Sequence, residues 1–99
     1  MFIRLANHWC KPGQIEAGQK FIDRQGEIMK TAPGFKFRYR MDDVAGRSNM
    51  TTLTAWADQA AFDQFRAGRP ASNSTDPTYP FERVEYQDYI VRAELGQRG

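Results

Sequence analysis

The sequence predicts an α+β fold: one four-stranded antiparallel sheet with two helices packed on the same face. Two observations point to it. Residues 14–31 and 58–68 repeat apolar side chains at three- and four-residue steps, the mark of amphipathic helices. The remaining long segments read as strands bounded by turn residues, and the whole order is β-α-β-β-α-β. That order is the split pattern of ferredoxin-like folds.

Each element has its own signal. In residues 2–10, Ile3, Leu5, Asn7 and Trp9 share one strand face, and Phe2, Arg4, Ala6, His8 and Cys10 share the other. Pro12-Gly13 ends the strand, because Pro has no N–H for a ladder and Gly admits the turn. Gln14 to Thr31 is the first helix, with Ile15, Gly18, Ile22, Gln25 and Met29 on one stripe flanked by Phe21 and Ile28. Gly18 and Gly26 each cost up to ~1 kcal/mol of helix propensity relative to Ala. A bare position on such a stripe also admits a bulky neighbour. Ala32-Pro33-Gly34 stops the helix.

Phe35 to Met41 alternates, with Phe35, Phe37, Tyr39 and Met41 opposite Lys36, Arg38 and Arg40. Asp42-Asp43 and residues 45–49 form a loop. Met50 to Ala57 is a Thr-rich strand with Thr52, Thr54 and Trp56 on one side. Asp58 is placed to cap a short helix that turns Ala61, Phe62 and Phe65 inward and stops at Gly68. Residues 69–80, with three prolines, are expected to form a loop. Phe81 to Leu95 is the last strand, and the tail 96–99 is expected to fray.

The chain has 99 residues, which suits one domain spanning 1–99. A net charge of +2 with mixed signs gives no footprint for nucleic acid. The segment "GFKFRYR" shares some spacing with an RNA-recognition signature. It sits on the second strand rather than the third, with Lys36 and Arg40 in the small and aromatic slots, so no nucleic-acid partner is expected. Cys10 is the one cysteine, which excludes an internal disulfide and suits a reducing compartment. No signal peptide or membrane span is read, so the expected location is cytoplasmic. The predicted sheet is apolar on both faces, yet two helices cover only one. The expected cover for the other is a second copy, giving a homodimer.

Three stretches in order, "CKPGQIEAGQKF", "KTAPGFKF" and "TTLTAWADQAAFDQF", resemble the antibiotic-biosynthesis-monooxygenase family, over most of residues 2–68. The resemblance implies a dimeric α+β barrel. It implies either a cofactor-free oxygenase acting on polycyclic phenols and quinols or, in a second branch, a haem-degrading enzyme. That branch has an Asn late in strand one and a Trp ending strand three, which Asn7 and Trp56 match. It also has an iron-ligating His on or after the second helix, where this chain reads "DQFRAGRPASNSTDP".

The expected function is therefore a cofactor-independent monooxygenase oxidising an electron-rich aromatic, a quinol or polyketide phenol. The alternatives are haem binding and degradation, or a non-catalytic dimer holding a small aromatic ligand. In the oxygenase reading Asn7 binds an oxyanion or peroxy group and Trp56 stacks on the substrate. Phe21, Phe62 and Phe65 wall the pocket, Arg38 orients an acidic or phenolate substrate, and Tyr86 is a candidate proton donor. The ordinary reading of each is packing, with Asn7 bonded to its surroundings. His8 and Cys10 lie about 6.5–7 Å apart along one strand face, too far for a nucleophile and its base. With no third donor they make no metal site, and their expected place is the dimer interface. Glu82, Glu85 and Asp88 are expected to be solvated or paired with Arg83 and Arg92.

Overall fold

The computed structural model describes residues 1–69 and 77–95. Most of the loop expected over 69–80, and the tail expected to fray at 96–99, lie outside the described residues. The elements are β1 (Phe2–Cys10), α1 (Ile15–Met29), β2 (Phe35–Met41), β3 (Met50–Trp56), α2 (Gln59–Ala67) and β4 (Phe81–Ile90). They form one four-stranded sheet ordered β2-β3-β1-β4, antiparallel at every pairing. The ferredoxin-like α+β order is as the sequence predicts. β4 stops at Ile90 rather than Leu95; beyond it, Val91 N–H donates to the Met1 carbonyl at 2.9 Å.

Local chemistry sets the boundaries. Asp58 caps α2 by accepting from Ala61 N–H at 2.8 Å, satisfying one of the helix's orphan donors. Gly34 turns the chain into β2 at φ +84°, and a Cβ there would lie 2.5 Å from Ala61 Cβ, so this turn seats directly on α2.

Pairing register decides which residues face the helices. Phe2 lies opposite Trp56, Arg4 opposite Thr54, Ala6 opposite Thr52 and His8 opposite Met50. These even-numbered β1 residues point under the helices. Ile3, Leu5, Asn7 and Trp9 point to the open face. His8 and Cys10, expected at a dimer interface, are therefore buried on the helix side. A register shift between Phe35 and Phe37 breaks the alternation expected in β2. Phe35 turns inward, edge-on to Trp56 at 5.8 Å. Phe37 and Tyr39 stay together on the open face, 5.3 Å apart.

Under the helices the core divides into two clusters. Cys10, Ile22, Met50 and Phe81 fill one end. Phe2, Trp56 and Phe62 fill the other. Sheet residues between them are small or polar, chiefly Ala6, Thr52 and Thr54, and the middle stays open. The opposite face bears no helix; Leu5 lies opposite Leu53, and Tyr39 and Tyr89 are 56% and 50% exposed. Among the described residues no helix is long and apolar enough to cross a membrane.

Candidate functional site

The open middle is a cleft of about 700 Å³ between the sheet and the two helices. A larger, flatter hollow of about 950 Å³ lies by the start of β2 and residues 91–94, but no imidazole or buried cation reaches it. Chemistry concentrates in the cleft.

His8 is on its floor, 6% exposed. Its Nδ1 lies 3.3 Å from the Met50 carbonyl oxygen. A carbonyl can only accept, so this contact favours the tautomer with the proton on Nδ1 and a lone pair on Nε2. The ring leans on Phe81 at 4.8 Å. Burial pushes the His8 pKa down, and the charge of Arg38 adds to that, against the pull of the Met50 and Ala6 carbonyls. The imidazole is neutral at pH 7, with one basic nitrogen.

Arg38 reaches the cleft from β2. It donates to Thr54 Oγ1 at 2.8 Å, to Met29 Sδ at 3.2 Å and to the Ile22 carbonyl at 3.5 Å. Burial lowers its pKa, opposed by the charge of Asp23. Gly26 makes room for it: a Cβ there would stand 3.3 Å from Arg38 Cδ and Nε. At the opposite side Arg4 grips Asp88 with two bonds, 2.8 and 2.9 Å long, between the rings of Phe62 and Tyr86. Asp88 thus pairs across the sheet with Arg4, not with Arg83 or Arg92; Arg83 pairs with Glu85 at 3.1 Å.

Of the residues singled out in the sequence, Trp56, Phe21, Phe62, Phe65, Arg38 and Tyr86 all line the cleft. Trp56, 1% exposed, is its inner wall, against Phe65 at 5.1 Å and Phe62 at 6.1 Å. Asn7 does not join them. Its side chain is on the open sheet face, where Oδ1 accepts from Thr51 Oγ1 at 2.6 Å. One residue of strand phase separates the two outcomes, and His8 holds the place given to Asn7. Cys10 lies beneath α1 against Gly18, its thiol pKa raised by burial and then by Glu82. Among the described residues, no three His, Cys, Asp or Glu side chains come together to hold a metal ion.

The fold also occurs in solved structures. The heme-degrader MhuD from Mycobacterium tuberculosis, solved with two hemes in its active site, superposes with a TM-score of 0.70 at 16% identity, over 97% of this chain and 100% of that one. SnoaB, a cofactor-independent oxygenase from Streptomyces nogalater solved as a point mutant, gives 0.73 at 16% identity over 97% and 98%. A Deinococcus radiodurans protein named as a candidate antibiotic biosynthesis monooxygenase gives 0.76 at 8% identity over the full length of both. The chain has the antibiotic-biosynthesis-monooxygenase fold. No protein-family model and no curated protein sequence matches it. At these identities the shared property is the monooxygenase fold, and chemistry has to be argued from the cleft.

Haem is the one cofactor the fold brings into question, and the residues do not fit it. The chain's single imidazole is recessed in the floor with its ring against Phe81. An imidazole only 6% exposed and packed on Phe81 is a poor axial ligand for a broad flat macrocycle.

Proposed function

We propose that this protein is a cofactor-independent monooxygenase that oxidises an electron-rich aromatic, a quinol or polyketide phenol, with O2. The observation that supports the reading best is His8: a buried imidazole with Nδ1 on the Met50 carbonyl and a lowered pKa, on the floor of an aromatic-walled cleft. Nε2 takes the proton from the substrate hydroxyl or the acidic carbon beside it. The Arg38 charge stabilises the resulting anion. Trp56 and Phe65 hold the ring and exclude water.

The anion supplies the electrons. It passes them to O2 one at a time, and the radical pair joins as a carbon–oxygen bond. The His8 imidazolium returns its proton to give a hydroperoxide. Loss of the second proton from that carbon breaks the O–O bond, leaving a carbonyl and water. One oxygen atom enters the product, the other leaves as water, and no external reductant is used.

The bare sheet face supports a homodimer, since Leu5, Leu53 and Tyr39 have no cover of their own. His8 takes the place expected of Asn7 but acts as a base, the anion-binding role passes to Arg38, and Asn7 with Thr51 becomes part of that subunit contact.

The test is oxygen uptake over a panel of quinols and anthrones under ¹⁸O2. The reading expects stoichiometric uptake and one labelled atom in the product. Binding without uptake across the panel would support the ligand-binding dimer instead. A Soret shift with stoichiometric haem would reverse the judgement on haem.

A further inference from the structure

We infer that the cleft selects an aromatic acid: a hydroxylated aromatic bearing a carboxylate that pairs with Arg38. The inference deepens the oxygenase reading, on which the place of the hydroxyl rests, and is measured by binding alone.

Charge is the first observation. Arg4, Arg38, Arg66 and Arg69 line the cleft, and among the described residues no Asp or Glu does. These cations are not equivalent. Arg4 is neutralised by Asp88. Arg66 reaches Asp63 at 3.7 Å on the outside of α2. Among the described residues Arg69 meets the Gln25 amide oxygen at 3.5 Å and lies over the Phe65 ring at 5.7 Å, with no carboxylate.

Arg38 and Arg69 are both partly buried and without an ion pair among the described residues, but Arg38 is held by three side-chain hydrogen bonds where Arg69 makes one; the nearby Asp23 is held by Arg40 at 3.4 Å. Its three acceptors, Thr54 Oγ1, Met29 Sδ and the Ile22 carbonyl, are all neutral. A guanidinium has five N–H donors, so two find no partner among the described residues. A desolvated charge without a counter-charge is unfavourable, and a ligand anion relieves it. The planar fork matches a carboxylate better than a point anion.

Position is the second observation. Gly26 and Thr54 fix the guanidinium from two sides, so it is not a wandering surface cation. It lies close enough to His8 to depress the imidazole's pKa. A carboxylate on Arg38 would place a neighbouring ring hydroxyl toward His8, with the ring lying against the wall that Trp56 and Phe65 make together.

The experiment is anaerobic calorimetric titration, so that no turnover occurs, with two probes, 1-hydroxy-2-naphthoate and 1-naphthol, which differ only in the carboxylate. The acid is expected to bind at least about tenfold tighter, the scale of a charge-assisted bidentate pair. Arg38→Met should erase the difference, and Arg38→Lys should restore part of it. Arg69→Gln should change acid binding less than about threefold. Equal affinity for the two probes in the unmodified protein overturns the inference and needs no variant to fold. So does a tenfold loss in Arg69→Gln, which moves the site to the rim. Protoporphyrin IX supplies carboxylates on a larger ring; binding of it but not of the hydroxynaphthoate assigns the charge to a porphyrin and overturns the aromatic-acid class. Acid selectivity supports the inference whether or not quinols are consumed, which separates its failure from that of the oxygenase reading.

Discussion

Gly18→Ala should destabilise this protein, although Ala is the better helix former. A Cβ at position 18 would meet Cys10 Sγ at 2.9 Å, Phe81 Cε1 at 3.0 Å and Met50 Cε at 3.3 Å. The Met50 methyl end can move. Cys10 Sγ is only two bonds from the strand backbone, and the Phe81 ring is boxed by Phe21, Tyr79 and His8 at 5.4, 5.5 and 4.8 Å. Overpacking such a site costs about 1–3 kcal/mol. Alanine's helix advantage offsets about 1 kcal/mol of that. The net loss is about 1 kcal/mol, or a fall in Tm of roughly 4–8 °C for a domain of this size. Thermal and urea melts read it directly. Cys10→Ala removes the closest atom, so Gly18→Ala in that background should be neutral or stabilising, a coupling of about 1 kcal/mol. A rise in Tm from Gly18→Ala in the otherwise unmodified protein would refute the packing argument. Because Phe81 leans on His8, the same substitution should also slow oxygen uptake.

Three further outcomes follow from the same geometry. The folded His8 has a pKa below its ordinary 6.5, so the unfolded chain takes up the proton first as pH falls. Stability should therefore decline between roughly pH 7 and 5, and His8→Phe should flatten that slope in urea melts, since the chain has no other histidine. Arg4 holds the Asp88 carboxyl below its ordinary value, so their pair persists at neutral pH and is lost in acid as pH falls through the lowered pKa. With Asp88 40% exposed, Asp88→Asn should cost no more than about 1 kcal/mol at pH 7 in a urea titration, and a loss several times larger would contradict the screening argument. Leu53→Lys, at the middle of the open sheet face opposite both Leu5 and Tyr39, should convert a dimer to a monomer in light scattering; an unmodified protein already monomeric would remove the dimer.

The order of elements was legible because turn residues and apolar periods agree at each boundary: Pro12-Gly13, Pro33-Gly34 and Asp58 all mark real ends. The cleft walls were legible too, because Trp56, Phe62 and Phe65 are bulky residues on faces that can only turn inward. The strand phase of β1 was not. Phe2 and Ala6 on one face and Ile3 and Leu5 on the other make it apolar on both, so alternation alone cannot say which face is covered. Pairing says it: Phe2 lies against Trp56, and that carries Arg4 and His8 into the cleft. A usable sign was present in Gly18, whose missing side chain needs a β1 neighbour, and Cys10 is that neighbour. The shift after Phe35 left no sign, since no Gly or Pro marks it. Arg4 was passed over because its partner Asp88 is 84 residues away.

The most direct measurement is the pH dependence of kcat/KM for quinol oxidation, compared between the unmodified protein and His8→Ala. The unmodified protein should show a rising limb with an apparent pKa below 6.5, the signature of a buried imidazole acting in its neutral form. In His8→Ala that limb should vanish and the rate should drop by about 10²–10⁴. A variant that keeps both the limb and the rate would show that the proton goes elsewhere, and the chemistry assigned to this cleft would be wrong.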